Sequence, residues 1–224
     1  MASLREERVA RAEWTRGISA GPIYDAVWDA LAHAPLGDVL DFGAGTGTLA
    51  RRLAGEGSVR SVTAADLAPA AGDDSPAGVR WLTADLNEPL ALAEGSFDTI
   101  AAVEVLEHLE NPRAVAREWR RLLRPGGRLV MSTPNVESVR SLVSLALRGQ
   151  HAAYTAPSYP AHITPLLAVD VHRVLVEAGF TEVRIGYTGE GRLPGLRLTW
   201  QGLSLALLRG RRFSDNLVAI ARRR

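Results

Sequence analysis

The 224-residue chain contains no lysine, no cysteine and no apolar run long enough to cross a membrane. Without cysteine there are no disulfides, no zinc–thiolate centre and no thiol nucleophile. Without lysine there is no Schiff-base chemistry and no lysine general base; all 26 basic residues are arginine. The longest apolar patch, Leu203 to Leu208, falls far short of the ~18 residues a spanning helix needs. The first residues, MASLREERVARAEWTRG, are charged and lack the apolar centre of a secretory signal. These absences lead us to expect a cytoplasmic protein with no membrane association. Acids nearly balance the arginines, giving a net charge of +1, so nothing in the composition demands nucleic acid.

What is present is a chain with 46% hydrophobic residues and ordinary glycine and proline content. That suffices for one α/β domain with a substantial core. Residues 3–16 and 22–33 read as two helices, the second amphipathic through Ile23, Val27, Ala30 and Leu31. Short apolar runs then alternate with helical stretches. Strands are expected at GDVLDF, VRSVTAAD, VRWLTAD, FDTIAAVEV and RLVMSTP, with helices at TGTLARRLA and at NPRAVAREWRRLL. Asn111 is placed to cap the latter helix and Pro112 to occupy its first position. RPGG reads as a turn before the fifth strand, and residues 67–78 as a broken loop. Beyond Asn135, helices are expected at 136–148, 165–178 and 196–208, and strands at 180–187 and 214–221. Alternating strands and helices imply parallel pairing and a doubly wound sheet.

The first strand runs into Asp41-Phe42-Gly43-Ala44-Gly45-Thr46-Gly47. Glycines let a backbone turn sharply and approach a ligand closely. In open α/β sheets ligands sit beyond the carboxyl ends of the strands. The spacing here is G-x-G-x-G rather than the dinucleotide G-x-G-x-x-G. An acid precedes the first glycine, which would repel a pyrophosphate but suit a cationic ligand. Asp66 and Asp85 close the second and third strands and can accept hydrogen bonds from ribose hydroxyls or an exocyclic amine.

The ordered set VLDFGAGTGTLA, AADLAP, TADLNEP, FDTIAAVEVLEHLENP and LRPGGRLVMSTPN resembles class I S-adenosylmethionine-dependent methyltransferases over residues 36–136. The resemblance implies a mostly parallel, seven-stranded Rossmann-like sheet. It implies that Asp41, Gly43, Ala44, Gly45 and Gly47 hold the methionine part of S-adenosylmethionine. Asp66 would take the ribose and Asp85 the adenine amine, with Leu67 and Leu86 packing on the base and Glu104 beside the cofactor. The broken stretch at 67–78 departs from the full helix usual in the family.

Methyl transfer to oxygen requires an aligned acceptor and a group to manage its proton. Glu104, Glu107 and His108 occupy VEVLEHLE, where helical spacing i, i+3, i+4 would put them on one face. Two carboxylates and an imidazole can bind a divalent cation such as Mg²⁺. The E-x-x-E-H run followed by a later histidine resembles two metal-dependent groups of this family, the ubiquinone-biosynthesis O-methyltransferases and the small-RNA 2′-O-methyltransferases. That resemblance implies Glu104, Glu107, His108 and His162 as ligands. A metal-free reading, with His108 as a plain general base, stands beside it, as does a structural role.

Residues 1–35 are expected to form an N-terminal helical cap over a cofactor-binding core at 36–135, with lid segments at 136–165 and 188–210 facing the acceptor. Tyr154, Tyr159 and Tyr187 would line the acceptor pocket, with Trp14 and Tyr24 closing it, and His151 facing it from the loop. His33 suits a helix C-terminus. The expected reaction is methylation of a hydroxyl on a small aromatic, sugar or natural-product-like acceptor. An RNA 2′-O-methyltransferase and a non-catalytic cofactor-binding module are the alternatives. Homodimerisation is left open.

Overall fold

The computed structural model describes the chain except residues 1–3, 16, 18, 33 and 68–77. His33 and nearly all of the broken 67–78 stretch lie outside the described residues. The elements run α1 Leu4–Thr15, α2 Gly21–Leu31, β1 Gly37–Phe42, α3 Thr48–Ala54, β2 Val59–Asp66, β3 Val79–Thr83 and β4 Phe97–Val103. There follow a 3-10 turn at Leu106–His108, α4 Pro112–Leu122, β5 Leu123–Pro134, α5 Val139–Arg148, α6 Ala168–Glu177, β6 Phe180–Tyr187, α7 Trp200–Leu203 and β7 Asn216–Arg223.

The seven strands form one sheet in the order β3-β2-β1-β4-β5-β7-β6. The first five pair in parallel, and β7 runs antiparallel to both β5 and β6. The strand order reverses between β1 and β4, which is where a ligand crevice opens in such sheets. Hydrophobic residues fill both sides. Leu40, Phe42, Ile100, Leu129 and Met131 point to one face beneath α4 and α6. Val39, Val62, Ala101 and Val130 point to the other, beneath α2 and α3. Strand residues alternate between faces, so strands buried on both sides read as continuous apolar runs. Trp119 of α4 is fully buried and meets Phe42 edge-on at 5.6 Å. Asn111 caps α4 by accepting the Ala114 N–H at 3.1 Å, and Pro112 opens the helix.

Several sequence expectations change. RPGG is not a turn before a strand but a bulge within β5. Phe97 pairs with Leu123 and Thr99 with Arg128, and Gly126 at φ 79° lets the extra residues loop out. The 196–208 helix shrinks to Trp200–Leu203, because Leu205 and Ala206 take left-handed backbone at φ 50° and 63°. The α6 helix begins at Ala168 rather than Pro165. The N-terminal cap also divides in two. α2 is a core helix whose Val27 and Leu31 are fully buried, and Arg128 donates to the Leu31 carbonyl at its end. α1 and the segment after it lie over the crevice, and Ile23 and Tyr24 at the start of α2 also line it. Among the described residues no helix is long and apolar enough to cross a membrane.

Candidate active site

A cavity of about 620 Å³ opens above the carboxyl ends of β1, β2 and β4. Its floor is the glycine turn. Gly43, Gly45 and Gly47 have φ of 84°, 52° and 80°, which side chains rarely tolerate. A Cβ on Gly43 would collide with Val105, and one on Gly45 with the Gly17 carbonyl. That carbonyl also accepts the Thr46 N–H at 3.1 Å, so the segment after α1 is stitched to the glycine turn. Asp66 accepts the Gly45 N–H at 2.7 Å. Gly43, Gly45, Asp66, Leu67, Asp85 and Leu86 line the cavity together. Asp41, Ala44 and Gly47 are in the same turn but do not line it. Asp41 is 2% exposed and its Oδ2 has no hydrogen-bond partner. Burial, helped by the Asp66 charge, pushes its carboxyl up to about 7.

Arg8 and Arg11 of α1 also line the cavity, and sequence reading missed both. Arg8 donates to Asp85 at 2.7 Å, to Glu88 at 3.1 Å and to both oxygens of Glu110 at 3.1 and 2.7 Å. Burial alone would raise Asp85. The N–H groups of Asn87 and the Arg8 guanidinium outweigh it and hold the carboxyl below its usual range. No local signal marks these partners, which lie 77 to 102 residues away in the chain.

Glu104, Glu107 and His108 do not share a helical face. Glu104 precedes the 3-10 turn with φ 53°, and its carboxylate turns to the sheet. Ser132 donates to Oε1 at 3.0 Å and Asn216 to Oε2 at 2.7 Å. Burial, and then the neighbouring Glu107 carboxylate, raise Glu104 well above its ordinary range. Glu107 is fully buried; Thr133 donates to its Oε2 at 3.0 Å, while Oε1 has no partner. Burial raises it to about 8.

His162 arrives from the loop before α6. The Ile163 and Thr164 N–H groups donate to the Glu107 carbonyl at 2.9 and 3.0 Å, which fixes the loop against the 3-10 turn. His108 Nδ1 lies 3.0 Å from the Ala161 carbonyl and so carries the proton that leaves Nε2 as the lone-pair nitrogen, 4.0 Å from Glu107 Oε1. The His108 and His162 rings meet edge-on at 4.8 Å. His162 Nδ1 is buried without a partner. Burial and the adjacent His108 lower His162 to about 4, and burial lowers His108 as well. One ligand atom from each of Glu107, His108 and His162 lies within 4.8 Å of the others; Glu104 stands outside this group.

On the acceptor side, Trp14 and Tyr24 line the cavity as the sequence suggested, and Trp14 donates to the Pro157 carbonyl at 3.3 Å. Tyr154, Tyr159 and Tyr187 do not line it. Tyr154 instead packs on His162 and donates to the Thr164 carbonyl, Tyr159 is exposed, and Tyr187 lies on β6 against the core. His151 is bonded to Ser141 away from the cavity. Pro157, Ser158, Ala161 and His162 form part of the wall, but no residue of 188–210 reaches it.

The fold agrees with that of known proteins. The methyltransferase domain family matches residues 19–185. The ubiquinone biosynthesis O-methyltransferase of Xanthomonas oryzae pv. oryzae (strain PXO99A) is 37% identical over 129 residues, covering 54% of this chain and 52% of the relative. The chain therefore spans about half the length of that curated relative. An S-adenosylmethionine-dependent methyltransferase from Archaeoglobus fulgidus superposes with a TM-score of 0.64 at 17% identity, over 89% of this chain and 92% of its own. The N-methyltransferase NodS from Bradyrhizobium japonicum WM9, solved with S-adenosylhomocysteine, gives a TM-score of 0.59 at 22% identity, over 89% and 85%. At these identities the structural likeness speaks for the fold. The family match covers most of the chain, and with it the glycine turn, both strand-tip acids and the Glu107–His108 pair: this protein belongs to the class I S-adenosylmethionine-dependent methyltransferases.

Proposed function

We propose that the protein transfers a methyl group from S-adenosylmethionine to a hydroxyl of a small acceptor, with a divalent cation held by Glu107, His108 and His162. The observation that carries this reading is the three-residue cluster beside the cavity, where His108 and His162 line the wall and Glu107 is buried behind it. Its Glu107 Oε1 and His162 Nδ1 are buried polar atoms without hydrogen-bond partners. Leaving such atoms unpaired costs about 1–3 kcal/mol each, and a cation would satisfy both. A carboxylate and two neutral imidazoles are a suitable donor set for Mg²⁺, Mn²⁺ or Zn²⁺. The O-methyltransferase relatives support oxygen as the acceptor atom.

The chain's own residues divide the work. Gly43 and Gly45 admit the cofactor's amino-acid part to the turn, Asp66 takes the ribose hydroxyls and Asp85 the adenine amine. S-adenosylmethionine supplies an already activated methyl on sulfur, so no residue of the chain has to become a covalent carrier. A cation at Glu107, His108 and His162 would lower the acceptor hydroxyl's pKa and orient it. Ala161 holds His108 in the tautomer that presents Nε2 to the site. Ser132 and Asn216 fix the carboxylate of Glu104, a residue that lines the cavity. Trp14, Tyr24 and Pro157 screen the site from water.

The test uses catechol as probe acceptor, with S-adenosylhomocysteine binding followed by calorimetry. Transfer should stop with EDTA and return with Mg²⁺ or Mn²⁺. Glu107→Gln should lose Mn²⁺ binding while keeping affinity for S-adenosylhomocysteine. Transfer that persists in EDTA refutes the cation; absence of S-adenosylhomocysteine binding refutes the whole reading.

A further inference from the structure

The segment between β6 and β7 was expected to serve as an acceptor lid, yet it never touches the cavity. Its construction is inverted. Gln201 points inward, donating to the carbonyls of Leu208 at 2.7 Å and Phe213 at 2.9 Å and accepting the Gly191 N–H at 2.9 Å. Ser204 donates to the Trp200 carbonyl at 2.7 Å and accepts the Leu208 N–H at 3.0 Å. Trp200 packs edge-on against Phe213 at 5.3 Å. The Leu193 N–H donates to the Leu198 carbonyl, closing a small turn, and the Trp200 N–H ties back to the Gly191 carbonyl. Polar side chains thus lock the inside of the loop, and the leucines face out. Leu196, Leu198, Leu203, Leu205 and Leu207 are 56%, 58%, 65%, 88% and 84% exposed.

Two features show that this exposure is built rather than incidental. Leu205 and Ala206 hold left-handed backbone, a conformation that costs of order 1–3 kcal/mol for a residue with a side chain. The two most exposed leucines sit on that strained corner. Charge is also segregated. Residues 191–213 contain five arginines and no acid. Arg192 pairs with Asp215 and Arg211 with Glu137, whereas Arg197, Arg209 and Arg212 are in no ion pair with a described acid. A rigid group of solvent-facing leucines among unpaired guanidinium groups complements a surface that is apolar beneath and anionic at its face. Such a surface is the interface of an anionic lipid bilayer.

We propose that this loop is a peripheral docking surface for anionic membrane lipid. Leu205 and Leu207 would enter the acyl boundary, and Arg197, Arg209 and Arg212 would meet the phosphates. No helix needs to span the bilayer for this. The site lies outside the cavity, so the proposal stands apart from the methyl-transfer reading.

The test is co-sedimentation of the full chain with vesicles, with S-adenosylhomocysteine calorimetry run on every variant to confirm folding. Binding is expected to vesicles of equal phosphatidylglycerol and phosphatidylcholine, at roughly 100-fold higher affinity than to pure phosphatidylcholine given three unpaired arginines. Raising NaCl from 0.1 to 0.5 M should weaken it. Leu205→Ser/Leu207→Ser should lose at least tenfold, and so should Arg197→Gln/Arg209→Gln. The proposal is overturned by absence of binding to the anionic vesicles, by equal binding to both vesicle types, or by unchanged binding of the leucine variant. A dimer in light scattering that Leu205→Ser/Leu207→Ser splits, with no vesicle binding, would assign the surface to a second copy instead.

Discussion

Replacing Asp41 by asparagine should stabilise the protein at neutral and alkaline pH. Asp41 is buried, its Oδ2 is unpartnered, and burial with the Asp66 charge moves its carboxyl from 3.8 to about 7. The sign follows from linkage. A folded-state pKa above the unfolded value means the folded protein holds the proton more tightly between pH 4 and 7. Stability is therefore complete below about pH 4 and is lost as pH rises through about 7. A change of roughly three decades corresponds to about 4 kcal/mol as an upper figure. Asparagine cannot ionise, so Asp41→Asn escapes that loss, less about 1 kcal/mol for an amide N–H left without an acceptor. Urea melts followed by circular dichroism from pH 4.5 to 8.5 would measure it. The variant and the parent should be equally stable near pH 4.5, and the variant more stable by about 3 kcal/mol at pH 8. A stability difference that stays flat across this range would refute the reasoning.

Three further outcomes follow from the packing. Gly45→Ala should abolish S-adenosylhomocysteine binding in calorimetry, because φ 52° and the adjacent Gly17 carbonyl leave no room for a Cβ. Arg8→Gln would leave Asp85, Glu88 and Glu110 without their shared cation; limited trypsin digestion should show faster cleavage within α1, and cofactor affinity should fall several-fold. Trp119→Ala should cost about 3–5 kcal/mol in chemical denaturation, since the ring is fully buried and edge-on to Phe42 at 5.6 Å.

The amino-acid sequence by itself determined the sheet and the placement of its chemistry at strand ends. Apolar runs ending in Asp41, Asp66 and Asp85 are local signals, read within a few residues, and so are Asn111 with Pro112 and the glycines of the turn. The E-x-x-E-H run was equally visible, but its spacing misled. Helical periodicity put Glu104 on one face with Glu107 and His108, whereas its backbone turns left-handed and Ser132 and Asn216 draw its carboxylate to the sheet. Only the tertiary structure decided that, because Asn216 lies 112 residues away. The same holds for Arg8, whose acidic partners are scattered over two loops, and for Tyr154, which supports His162 rather than lining the cavity. The 196–208 stretch shows the reason most directly. Its leucines recur as in a buried helix, yet Gln201 takes up the carbonyls of Leu208 and Phe213 and turns the chain inside out. Local propensity is set by neighbours along the chain; the partners that override it come together only once distant segments have folded against each other.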